Sequence, residues 1–209
     1  MEAGAIRCSR MSAVSEELIA ELVSIVGRRN VISRAEDLLV YECDAYTLEK
    51  NLPNVVVLPN SSDEVARIVR ACAAARVPII PRGAGTSLSG AVLAVEGGVM
   101  IALTRMNRVL SVDVENRRAL VEAGCVNAWI TNAVKSHGLY YAPDPSSQSA
   151  CKIGGNVATN SGGPHTLKFG VTTNHVLGFE IVFPDGEVVW LGTTPEGGRM
   201  SPVMICAGR

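Results

Sequence analysis

The sequence predicts an α+β fold of two subdomains that opens with a βαβ unit, and three observations carry that prediction. Val55, Val56 and Val57, bounded by Pro53 and Pro59, and the run Val77–Ile80 read as short β-branched strands with an amphipathic helical pattern between them. A second set of strand-like runs begins at Val109 and ends in a hairpin signal, Asp185 and Gly186 between Val176–Phe183 and Glu187–Leu191. Two glycine-rich segments, Pro81–Gly90 and Ile153–Gly163, fall one in each half, so the halves divide near Asn107–Asn116.

Residues 1–50 form an N-terminal helical segment. Ser15, Glu16 and Glu17 give an N-cap with acidic residues in the first turn, and Leu18, Ile19, Leu22, Val23 and Val26 share one helical face that Gly27 can end. Arg34–Lys50 reads as a short helix followed by an irregular stretch containing Tyr41, Asp44 and Tyr46. After the Pro53–Pro59 strand, the run Asn60–Glu64 caps a helix whose buried face carries Val65, Ile68, Val69 and Cys72. Val77–Ile80 returns as a strand, and a right-handed crossover is expected. Val99–Leu103, Val109–Val114 and Arg118–Glu122 are further strands, and Asn127–His137 is a helix expected to bury Trp129, Ile130 and Val134. The main domain is thus bounded at 51–195, with subdomains 51–106 and 107–195, and 196–209 forms an atypical tail without strand or helix logic.

Composition narrows the function classes. The chain of 209 residues is 47% hydrophobic and 19% charged, as soluble globular proteins are, and its formal net charge of −1 argues against a nucleic-acid or anionic-membrane surface. Six cysteines, Cys8, Cys43, Cys72, Cys125, Cys151 and Cys206, are scattered without a CxxC pair. With no secretory signal in the first residues, reduced thiols and a cytoplasmic setting are expected. The three histidines, His137, His165 and His175, lack metal-ligand spacing, so no metal site is expected.

The chemistry lies in the glycine segments. Gly83, Gly85 and Gly90, interleaved with Ala84, Thr86, Ser87, Leu88 and Ser89, describe a loop whose backbone comes close to a guest. Glycine permits positive φ and carries no Cβ, so successive N–H groups can converge on an anion such as a diphosphate. The loop is not a Walker A motif, since no Gly-Lys-Ser/Thr closes it, and it lacks the third glycine of the Rossmann fingerprint.

In order, Pro53–Pro59, the Ser62–Val65 helix start and Val77–Gly90 resemble the FAD-binding domain of the vanillyl-alcohol oxidase (PCMH-type) flavoenzymes. Tyr140–Ser147, Ile153–Gly163 and Leu167–Gly170 narrow the resemblance to the branch of the glycolate oxidase FAD-linked subunit and D-lactate dehydrogenase. The resemblance implies a PCMH-type FAD-binding fold of two subdomains without the C-terminal cap. It places Pro81, Arg82 and Gly83 through Gly90 around the FAD diphosphate. It sets Pro143, Asp144, Pro145, Ser146 and Ser147, with Gly154, Gly155, Asn156, Ala158, Thr159, Asn160, Ser161, Gly162 and Gly163, along the flavin and ribityl side. Family members of the covalent type tether flavin through a histidine in the first loop; this loop has none, so non-covalent FAD is implied.

The implied reaction is oxidation of a 2-hydroxy acid, glycolate or D-lactate, by hydride transfer to flavin N5. Partner subunits are implied too, one carrying iron–sulfur clusters, with a cytoplasmic location peripheral to the inner membrane through them. The family's catalytic base belongs to the cap, so no catalytic residue is identified. Relatives carry an Asp-x-Pro-Gly-Tyr-Asp-Leu-like stretch where Arg199–Arg209 stands, and an alternate frame of codons for Val203–Cys206 contains Tyr-Asp-Leu; a frameshifted gene is therefore expected. Without the closing segment, one sheet is expected to keep an unpaired edge. The rival reading is a truncated, non-catalytic FAD-binding fragment or pseudo-enzyme.

Overall fold

The computed structural model describes residues 14–193 and 203–206. Helix α1 (Glu16–Val26) starts where the Ser15 hydroxyl accepts from the Leu18 N–H at 3.2 Å, and ends at Gly27, whose N–H returns to Val23 O. It buries Leu18, Leu22, Ile25 and Val26. Strand β1 (Val31–Ile32), helix α2 (Ala35–Leu38) and strand β2 (Val55–Val57) follow. Helix α3 (Ser62–Ala75) is capped reciprocally: Ser61 Oγ accepts from Glu64 N at 3.2 Å, and Glu64 Oε2 accepts from Asn60 N at 2.7 Å. Strands β3 (Ile79–Arg82) and β4 (Val99–Ala102) complete a four-stranded sheet of order β1-β2-β4-β3.

In this sheet β4 runs parallel to both β2 and β3 and lies between them. The expected βαβ unit therefore joins two strands that are not neighbours: local pattern gives the elements, whereas the slot between them is filled by a later segment. Both faces of the sheet are covered. Val55, Val57, Val99 and Ile101 pack beneath α1 and α3, and Val56, Ile80, Met100 and Ala102 pack with Leu38, Val92 and Ala94. Burial on both sides explains why β2 and β4 read as unbroken apolar runs. Each such side chain contributes about 1.5–3 kcal/mol of transfer free energy.

The second sheet is antiparallel. It contains β5 (Val109–Asp113), β6 (Arg118–Val121), β7 (Val176–Val182), β8 (Val188–Gly192) and β9 (Val203–Cys206), in the order β5-β6-β9-β7-β8. Between β6 and β7 come helices α4 (Asn127–Val134), α5 (Ile153–Thr159) and α6 (Thr166–Phe169). Two sequence expectations are corrected here. Val203–Cys206 is a strand paired with both β6 and β7, so the sheet is not left open at that position. Trp129 is 45% exposed, because α4 turns Asn127, Ile130 and Val134 inward and Trp129 lies off that face. Ile153–Thr159, within the second glycine-rich segment, forms a helix.

The two halves meet through one backbone and one side-chain hydrogen bond. Gly124 N donates to Met106 O at 2.7 Å, and Arg70 Nη1 donates to Gly186 O at 2.8 Å. The described cysteines, Cys43, Cys72, Cys125 and Cys151, are free thiols; Cys8 lies outside the described residues.

Candidate cofactor site

Strand β3 delivers Arg82 to the edge of the first core, and the chain then leaves the sheet through residues 83–90. Gly85 and Gly90 have φ of 70° and 69°, which an L side chain would strain. Among the described residues, the backbone N–H groups of Gly83, Ala84, Gly85, Thr86, Ser87 and Leu88 donate to no protein acceptor, while Ser89 N reaches Ser87 Oγ at 3.2 Å. A row of free donors on a glycine-rich turn is a nest for an anion. Gly83, Ala84, Gly85, Thr86 and Ser87 are half-buried, whereas Leu88 and Ser89 are exposed, with Leu88 at 76%.

The side chain of Arg82 is placed differently from the backbone donors with which the sequence grouped it. It is buried, donates from Nη1 to Cys43 O at 3.0 Å, and lies 5.5 Å from the Tyr41 ring centroid. A Cβ on Gly85 would stand 2.7 Å from Arg82 Cζ, so the guanidinium fills the space beneath the loop. Burial pushes the Arg82 pKa down, opposed by Tyr41, Asp44 and Cys43.

The two glycine segments meet at Gly83, where an added Cβ would come within 3.3 Å of Lys152 Cβ. Lys152, half-buried, has its pKa pushed down by burial, and its ammonium lies 5.6 Å from the Trp129 ring centroid. It was missed from sequence: a lone lysine between Cys151 and Ile153 carries no pattern.

Helix α5 begins immediately after Lys152 and is fixed by the chain following β6. Ile153 N donates to Cys125 O at 3.0 Å and Gly154 N to Ala123 O at 2.7 Å. Gly154 is needed for packing, since its Cβ would lie 3.0 Å from Ala123 Cβ. Gly155 faces open space, with nothing within 4 Å of an added Cβ. Asn156 is 2% exposed and its Nδ2 has no hydrogen-bond partner. An orphaned buried donor beside an open glycine face fits a polar ligand absent from the protein chain alone.

At the end of α5, Ala158 and Thr159 are exposed, as is the following Asn160. Asn160 adopts the left-handed conformation, and its Oδ1 accepts from Thr173 N at 3.0 Å and from the Thr173 hydroxyl. Ser161 O accepts from Thr172 Oγ1 at 2.7 Å. Gly162 is half-buried, and Gly163 N donates to Thr166 Oγ1 at 2.7 Å. Gly163 also lies against Asp144, whose Oδ2 pairs with His165 Nδ1 at 2.5 Å. Asp144 thus clips the Pro143–Ser147 turn to the end of the second segment. Pro143 O accepts from Asn127 Nδ2 at 3.2 Å, Pro145 O from Gln148 N and Ser147 O from Cys151 N, both at 2.8 Å, while Ser146 is exposed. These turn residues are held largely by protein partners.

A shallow groove of about 350 Å³ lies between α1 and α3, lined in part by Glu21, Arg67 and Arg70, away from the glycine-rich segments. Among the described residues, no group of three or more His, Cys, Asp and Glu side chains forms a metal cluster. No helix among them is long and apolar enough to cross a membrane.

A mixed sheet and an antiparallel sheet, each contributing a glycine-rich segment to one junction, define a two-subdomain nucleotide-cofactor domain of the PCMH type. The FAD binding domain family matches residues 53–192, and the chain belongs to that family. It is 45% identical over 163 residues to glycolate oxidase subunit GlcD of Escherichia coli strain K12, covering 78% of this chain and 33% of that protein. It is 37% identical over 183 residues to a D-lactate dehydrogenase of Anaerostipes hadrus, covering 87% and 38%. The chain thus spans about a third of the length of these curated relatives. Among solved structures, alkyldihydroxyacetonephosphate synthase superposes with a TM-score of 0.80 at 25% identity, over 93% of this chain and 44% of the other. p-Cresol methylhydroxylase superposes at 0.75 and 19% identity, over 91% and 42%, which shows the shared fold.

Proposed function

We propose that this chain is the FAD-binding part of an FAD-dependent oxidoreductase that oxidises a small 2-hydroxy acid, glycolate or D-lactate, with the cofactor held non-covalently. The free N–H groups of Gly83–Leu88 carry the reading: in a family that binds FAD they are the donors a diphosphate requires. The substrate class follows from relatives named as glycolate oxidase subunit, D-lactate dehydrogenase and D-2-hydroxyglutarate dehydrogenase.

Bound FAD supplies a two-electron acceptor at flavin N5. The residues of this chain bind and orient it. The N–H groups of Gly83–Leu88 would hold the diphosphate, with Thr86 and Ser87 adding hydroxyl donors, and the Lys152 side-chain stem packs against Gly83 at the start of the loop. Gly155 leaves room for close approach, and the orphaned Asn156 Nδ2 donates to a cofactor oxygen. Electrons would pass to partner subunits, which a relative named as a subunit of glycolate oxidase supports.

The test is the visible absorbance of the purified chain after incubation with FAD and desalting. A retained flavin band released on denaturation is expected; a folded chain that keeps no flavin refutes the reading. Turnover of glycolate or D-lactate then separates an active part from one that binds cofactor alone.

A further inference from the structure

Arg82 poses a problem that the free donors of the loop do not. Its guanidinium is buried, and among the described residues no carboxylate forms an ion pair with it. Its fixed partners are the Cys43 carbonyl and the face of Tyr41, both from a segment forty residues earlier in the chain. Asp44 opposes the cost of that burial through its field but forms no direct ion pair with the guanidinium, and buried charges are ordinarily paired directly.

The loop above it rests on Arg82 near its start and comes near Tyr46 at its end. Near its start, Gly85 leaves room only because it lacks a Cβ; the Arg82 guanidinium occupies that space. At its end, an added Cβ on Gly90 would lie 3.7 Å from Tyr46 Cδ1. Between these contacts Asp44 is buried, its Oδ1 accepting from Tyr46 N at 2.8 Å and its Oδ2 without a partner. Tyr41–Tyr46 has little regular structure of its own, so its fixed shape depends on these contacts.

We propose that Tyr41–Tyr46 is the floor of the cofactor site and that Arg82 is its positioning residue. Arg82 holds the N–H groups of Gly83–Leu88 in place from below and sets a buried positive charge behind them, which a nucleoside diphosphate neutralises. This rests on the FAD reading above. The guanidinium does not touch the ligand; it acts through the backbone it supports and through its field. Lysine keeps the charge but loses the planar fork that bonds Cys43 and stacks on Tyr41.

The experiment compares the wild-type chain with Arg82→Met, Arg82→Lys and Tyr41→Leu, using ADP and FAD as probes. Affinity is read by calorimetry, and order by hydrogen exchange at the amides of residues 43–46 and 83–88. In the wild type, ADP is expected to protect both amide groups. R82M is expected to weaken ADP and FAD about tenfold or more, R82K and Y41L by less, and in R82M the amides of 43–46 no longer respond to ADP. A variant that merely loosened the fold would change basal exchange everywhere without this selective uncoupling. If R82M does not melt cooperatively, R82K and Y41L carry the test, since each removes contacts of the guanidinium and leaves the backbone intact. Folded variants that bind ADP within twofold of wild type overturn the proposal, as does ADP protection of 83–88 without 43–46. A wild-type chain that binds neither probe overturns the FAD reading and this inference with it.

Discussion

Gly154 and Gly155 are neighbours in one short helix, yet an added methyl group has opposite consequences at the two positions. At Gly155 it meets nothing within 4 Å, and φ is not in the left-handed region, so the apo fold has no steric objection. Alanine restricts the unfolded chain and favours the helix, a gain of about 0.5–1 kcal/mol. For a domain of this size that raises Tm by about 1–4 °C. The open face is where the cofactor is argued to approach, and an extra methyl in a close-packed contact costs about 1–3 kcal/mol, or about 5- to 150-fold in affinity. Gly155→Ala is therefore expected to be more stable and to bind FAD more weakly. Gly154→Ala, by contrast, drives its Cβ to 3.0 Å from Ala123 Cβ and 3.1 Å from Ala123 O, and is expected to lower Tm. Thermal melts with FAD titration by flavin fluorescence separate the two outcomes. A Gly155→Ala chain with raised Tm and unchanged FAD affinity refutes the placement of the cofactor on this face; a lowered Tm refutes the helix argument.

Gly124→Ala would put a Cβ 2.7 Å from Met106 O and closer still to Leu103 O, where the sheets meet. Backbone must move to relieve it, at about 3 kcal/mol, so a Tm loss of about 6–12 °C is expected by calorimetry. Asp113, hydrogen-bonded by Asn116 and then Arg118, has its carboxyl held down to about 2. Because that pKa is depressed, the pair stabilises the fold above the unfolded value of about 3.9 and the contribution is lost as pH falls towards 2. Urea midpoints measured from pH 5 to 2 should fall less steeply in Asp113→Asn than in wild type. Burial pushes the Cys72 and Cys125 thiols up to about 11, so iodoacetamide at pH 8 is expected to modify half-buried Cys43 first and those two only on unfolding, as located by peptide mass analysis.

The parts of the fold that sequence revealed are those where one local rule dominates. Val55–Val57 and Val99–Ala102 are apolar at every position because both faces of their sheet are covered, and α1 and α3 declare themselves by caps and by the spacing of Leu18, Leu22, Ile68 and Cys72. Helix α5 did not, since two glycines and three β-branched residues give it poor intrinsic propensity. It forms because Ala123 and Cys125 accept its first N–H groups and Ile153 is fully buried. The glycine-rich segments stand out in composition, but it is the order of the motifs around them that suggests a cofactor site. The side-chain role of Arg82 was not legible, because its partners Cys43 and Tyr41 are remote in sequence and no spacing rule connects them.

Strand β9 bears on the site through what it spaces. The second glycine segment is anchored at its start by Ala123 and Cys125, just after β6, and at its end by Thr172 and Thr173, just before β7. Those two strands do not pair with each other. Each pairs with β9, Val121 opposite Val203 and Val176 opposite Ile205, so the width of one backbone sets the distance between the anchors. A segment rich in glycine cannot define its own span, because its residues lose the most entropy on ordering. The sheet supplies that definition from outside, just as the first loop takes its shape from β3 and the Tyr41–Tyr46 floor. Conformational freedom at the cofactor face and rigidity beneath it are therefore provided by different residues. Substitutions in the glycine segments should alter cofactor affinity, and those in the strands and floor should alter how tightly affinity and folding are coupled.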